Sequence, residues 1–99
     1  MPGYEEHEIF TIPWVPYPRY TSLSLSRVSL EFRILSTDKG HAIWCKQGDG
    51  KPWHIGTHHT LEEAKYRVYD QLVYFSLYRT GKWDRSSDPR VFSPAAQRA

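Results

Sequence analysis

Between Thr60 and Gly81 the sequence carries its one long stretch of helical period, and that stretch is apolar on two sides rather than one. Leu61, Ala64, Val68, Leu72 and Phe75 recur at three- and four-residue spacing, the pattern of a core-facing stripe. Tyr66, Tyr69, Val73 and Leu77 make a second stripe that lies opposite or obliquely beside the first. Thr60 followed by Glu63 reads as a capping box, and Glu62 and Glu63 complement the positive end of the helix dipole. The helix is expected to run to about Tyr78 or Arg79, with Gly81 as its stop. A helix lying on a sheet buries one face. The second sector therefore needs its own cover: another segment of the chain, a second subunit or a target protein.

The sheet is read upstream. Val28, Leu30, Phe32 and Ile34 alternate with Arg27, Ser29, Glu31 and Arg33, so Leu23–Leu35 is expected as a strand. Leu23 and Leu25 have the opposite parity, which calls for a bulge or bend near Ser26. The run from Ser36 to Gly40 supplies a turn into a second strand, His41–Gln47. Gly48-Asp49-Gly50 then closes a hairpin into a third, Lys51–Thr57, with Pro52 marking an edge. The expected fold class is α+β: a three-stranded antiparallel sheet packed on one long C-terminal helix.

Residues 1–22 form an extended arm ahead of a single domain at 23–83. Pro13, Pro16 and Pro18 exclude a helix or a central strand there. Yet Ile9, Phe10, Ile12, Trp14, Val15, Tyr17 and Tyr20 are too apolar for a solvated linker, so the arm is expected to pack across the domain. Pro13 and Pro16 also form a PxxP, a weak signal for recognition by a proline-binding module. Residues 84–99, rich in Ser, Asp, Pro and Arg, are expected to be a polar, flexible tail.

Charge and cysteine content narrow the function classes. The net charge is +2 from 13 basic and 11 acidic residues, which lacks the concentrated cationic stripe of a phosphate-tracking protein. Cys45 stands alone, so no internal disulfide forms, and a thiol within a strand suits a reducing compartment. No secretory or membrane-spanning run is present, and the expected location is intracellular and cytoplasmic, with no membrane partner.

Chemistry-bearing clusters are weak. His41, His54, His58 and His59 with Cys45 match no common zinc spacing. Cys45 lies between Trp44 and Lys46 with no elbow or oxyanion loop beside it. Asp38 and Asp49 are explained by turns, and no helix follows Gly48-Asp49-Gly50-Lys51 to make it a phosphate loop. No catalytic set, metal or cofactor is expected.

The run Trp53-His54-Ile55-Gly56-Thr57-His58-His59-Thr60-Leu61-Glu62-Glu63-Ala64, followed by Tyr69-Asp70, resembles the last strand and helix start of plant ethylene-response-factor DNA-binding domains. Phage-integrase arm-binding domains are similar. The likeness covers residues 53–70. It implies a three-stranded sheet laid against DNA with the helix behind, and carries DNA contact to Arg27, Arg33, Trp44, Lys46 and Trp53.

The expected function is that of a small non-enzymatic binding protein acting through a protein–protein surface on the aromatic helix. Tyr66, Tyr69, Val73, Tyr74, Leu77, Tyr78 and Trp83 are its candidate interface, because aromatic side chains anchor interfaces at low entropic cost. Size alone points to a phage or mobile-element inhibitor of a host defence factor. The alternatives are a DNA-binding module using the sheet face and a small subunit of a larger assembly or self-associating chain.

Overall fold

Five strands run in sequence order as one antiparallel meander: β1 (Val15–Pro16), β2 (Tyr20–Leu25), β3 (Leu30–Thr37), β4 (Gly40–Gln47) and β5 (Trp53–His58). A long helix, α2 (Leu61–Phe75), covers one face, flanked by the short helices α1 (Glu6–Ile9) and α3 (Leu77–Thr80). These features come from a computed structural model that describes residues 3–83. The tail expected at 84–99 lies outside the described residues.

The sheet has five strands where three were expected: the parity change near Ser26 is a chain reversal that makes two strands of one, and the arm adds β1. Leu25 pairs with Leu30 and Leu23 with Phe32. A short 3-10 turn, Ser26–Val28, joins the two strands, and Ser29 takes a left-handed conformation at φ 54°. Residues directly opposite in an antiparallel pair share a face, so the hairpin brings Leu23, Leu25, Leu30 and Phe32 into one apolar layer. A bulge would also have reversed the parity. The turn is marked only by Ser26 and Ser29, weaker turn formers than the Gly, Pro, Asn or Asp that usually announce one.

The other turns follow their chemistry. Thr37 and Gly40 close a two-residue loop between β3 and β4, with the Thr37 hydroxyl donating to Gly40 O at 2.9 Å. Gly40 sits at φ 131°, and a Cβ there would lie 2.5 Å from the His58 carbonyl oxygen; only glycine fits. Thr60 caps α2 by accepting from the Glu63 N–H at 3.1 Å. At the far end Ser76, at φ 53°, stops α2 before Gly81 does. Gly81 caps the separate helix α3 instead.

The N-terminal arm packs on the domain and extends the sheet. Val15 and Pro16 pair with Ser22 and Thr21 at its edge, where a residue lacking N–H is tolerated. Ile9 is fully buried in the core formed by β2, β3, β4 and α2. The Tyr4 N–H donates to Tyr78 O at 3.0 Å, and the Tyr4 hydroxyl accepts from the Arg27 N–H at 3.1 Å. The core holds Phe32, Ile43, Cys45, Val68 and Leu72, all with no exposed surface. Among the described residues no helix is long and apolar enough to cross a membrane.

Candidate binding surfaces

The arm covers part of the second apolar sector of α2. Trp14 Nε1–H donates to the Tyr69 hydroxyl at 3.0 Å, and the Phe10 ring lies 5.0 Å from that of Tyr69. Tyr69 is thereby held by the chain's own arm. Beyond it the helix stays bare: Tyr66 is 73% exposed, Tyr74 65% and Val73 38%, and Phe10 on the arm is 56% exposed. Tyr66, Tyr69 and Val73 stand at i, i+3 and i+7, so they share one ridge. Tyr74 flanks it, packed edge-on against Phe75 at 4.7 Å.

Leu77, Tyr78 and Trp83, expected on the same surface, are instead buried in the core. The cause is Ser76. Its left-handed backbone ends one helix and starts another, so Leu77 does not continue the outer face of α2. Trp83 lies edge-on to Trp53 at 5.3 Å and stacks on Phe75 at 5.8 Å. Its backbone N–H donates to the Gln47 side chain at 3.3 Å.

The second surface is the sheet face opposite α2. Register places Ser22, Arg33 and Trp44 in one row across β2, β3 and β4, with His54 next on β5. Tyr20 stands diagonally beside Arg33, its ring 4.5 Å below the guanidinium. Tyr17 stacks on Tyr20 at 4.7 Å, and Trp44 lies 5.2 Å from the His54 ring. A hollow of about 420 Å³, lined by Glu31, Arg33, Leu35, Trp44, Cys45, Lys46 and Pro52, opens beside this row.

Of the residues assigned to a nucleic-acid face, the structure brings together Arg33, Trp44 and Lys46. It separates Arg27 and Trp53 from them. Arg27 belongs to the 3-10 turn, where its guanidinium covers the Tyr4 ring at 4.5 Å and bonds Gly3 O at 3.2 Å. Trp53 pairs across from the buried Cys45 and packs against the core. Tyr17, Tyr20 and His54 were missed. Their place in the row depends on strand register, which local sequence does not reveal.

The electrostatics of this face are restrained. Partial burial pushes the Glu31 carboxyl up, but hydrogen bonds from Arg33 (2.9 Å) and Ser22 (2.7 Å) outweigh it and hold the group below its ordinary value. The same bond raises Arg33. On the other side of the sheet, burial pushes the Cys45 thiol up to about 12, so it is un-ionised near neutrality and unsuited to nucleophilic attack. Cys45 and His54 lie on opposite faces of the hairpin. Burial, then the charge of Arg67, lowers His58. Among the described residues no three metal-ligating side chains form a group.

No protein-family model, curated protein or solved structure matches this chain.

Proposed function

We propose that this protein is a non-enzymatic binding protein that docks another protein through the ridge of α2. The observation that carries the proposal is the exposure left after the arm has docked. Tyr66, Val73 and Tyr74 stay open on one helix face, continuous with Phe10 through Tyr69. Contiguous exposed aromatic and aliphatic surface marks interaction sites, and anchors at i, i+3 and i+7 are how a helix seats in an apolar groove. The partner's complementary feature is such a groove. Tyrosine suits the task because it buries a large ring while its hydroxyl remains hydrated before docking.

A second copy of the chain is the competing occupant, and light scattering separates the two. The expected result is a mass near 11.7 kDa that does not change with concentration. A mass that doubles with concentration, and returns to the monomer value in Tyr66→Ala/Tyr74→Ala, would assign the ridge to self-association and overturn the proposal.

A further inference from the structure

We propose that the sheet face opposite α2 is a separate binding site for single-stranded nucleic acid, with Trp44 and Arg33 as the stacking surfaces for an unpaired base. Three observations lead there. First, the face is uncovered. α2 packs on the other side, and the side chains of Arg33, Trp44 and Lys46 are exposed. Second, four rings flank one cation along the face. Tyr17 stacks on Tyr20 at 4.7 Å, the Arg33 guanidinium covers Tyr20 at 4.5 Å and Trp44 lies 5.2 Å from His54, with Arg33 and Trp44 directly opposite in register. Third, the row borders an apolar-floored hollow of about 420 Å³, within the roughly 300–1,000 Å³ range of small-molecule pockets.

Arg33 and Lys46 against Glu31 give the hollow's lining one net positive charge, which favours an anionic ligand. Lys46 lines the hollow directly opposite Glu31 in the β3–β4 register, without forming an ion pair among the described residues. Exposed Arg19 and Lys39 stand in turns at one end of the sheet, and Lys51 in the loop at the other. Against them are Glu31, already bonded to Arg33 and Ser22, and the turn residues Asp38 and Asp49. A backbone crossing the face would therefore meet a cation beside a carboxylate at each end and Lys46 at the centre. Bases would stack on rings, the arrangement by which sequence-tolerant single-strand binders gain affinity.

Duplex DNA fits this face less well. Readers of the major groove reach base edges with long polar side chains, chiefly Arg, Lys, Asn and Gln. Here Arg33 is held to the sheet by Glu31 and Tyr20, leaving Lys46 as the reaching group. Rings lying in a row have no access to bases already stacked in a duplex.

The test is fluorescence anisotropy with a labelled oligodeoxythymidine of about 15 nucleotides and a duplex of the same length, at low and at physiological salt. The single strand is expected to bind more tightly than the duplex, with affinity falling as salt rises. Trp44→Ala is expected to weaken it about tenfold, the loss of one base–ring stack, while Trp44→Phe keeps most of the affinity. Tyr74→Ala, on the helix ridge, leaves it unchanged. No anisotropy change at about 100 μM protein in low salt, a duplex bound as tightly as the single strand, or equal binding by folded Trp44→Ala would each overturn the assignment. The first of these outcomes would return the face to a protein segment. The α2 ridge is untouched by any of them.

Discussion

Phe32→Ala is expected to lower the free energy of unfolding by about 3–5 kcal/mol, the cost of removing a fully buried ring from a core that cannot collapse around the void. Phe32 has no exposed surface and lies in β3 with Leu23 opposite on one side and Cys45 on the other. The helix residues Val68 and Leu72 belong to the same cluster. A domain of this size has a total stability of roughly 5–15 kcal/mol, so the substitution consumes a large share of it. Each kilocalorie per mole shifts the midpoint of a 60–100-residue domain by about 4–8 °C. Thermal and urea unfolding followed by circular dichroism measures the loss. A cost below about 1 kcal/mol would mean that Phe32 is not at the centre of the sheet, and the register of β2, β3 and β4 would be wrong with it.

Alkaline pH is expected to expose the burial of Cys45. Its thiol ionises at an ordinary value of 9.0 when solvated and is pushed up to about 12 by burial. Between these values the unfolded chain has released a proton that the native chain keeps, so the native state binds more protons and stability falls as pH rises. The contribution is fully present below pH 9 and is lost at about 1.4 kcal/mol per pH unit from there toward 12. Tyrosines and lysines titrate in the same window in any variant. The informative quantity is therefore the difference in slope between the native sequence and Cys45→Ala. The alanine variant is expected to be less stable at neutral pH but to lose less above pH 9. Parallel stability curves from pH 8 to 11 would contradict the buried thiol, as would rapid labelling of native Cys45 by a thiol reagent.

Two departures from what the sequence leads one to expect are serines in left-handed conformations; a third is the arm, which forms helix α1 and edge strand β1 rather than staying extended throughout. Among the described residues, Ser29 and Ser76 are the non-glycine residues with positive φ. The first turns an apparent single strand into a hairpin. The second ends α2 at Phe75 and carries Leu77 and Tyr78 into the core. Left-handed backbone normally shows itself as Gly or Asn, so serine marks these reversals only weakly. It is imposed by the apolar layer that each one completes. Where local chemistry and the tertiary arrangement agree, the elements were legible. The alternation of Leu30, Phe32 and Ile34, the glycine-bearing turns around β4 and the Thr60 cap all appear as their residues require.

The surfaces were legible to different depths. Helical period alone separates the buried stripe of Ala64, Val68 and Leu72 from Tyr66 and Val73. It does not reveal that Trp14 and Phe10 would take Tyr69 and leave its neighbours bare, because that contact spans 55 residues. On the sheet, strand parity is enough to put Arg33, Trp44 and Lys46 on one side. Adding Tyr20 and His54 to their row requires knowing which strands are neighbours.

The most direct test of the account is retention of a partner protein from native cell extract by immobilised native sequence, Tyr66→Ala/Tyr74→Ala and Trp44→Ala. Both tyrosines are largely solvated, so the double substitution is expected to leave folding intact within about 0.5 kcal/mol per site. A partner is expected to be held by the native sequence and by Trp44→Ala but lost at least about 30-fold by the tyrosine variant, the scale of an interface anchor. Equal retention by the tyrosine variant, or loss with Trp44→Ala instead, would show that the ridge of α2 is not the docking surface.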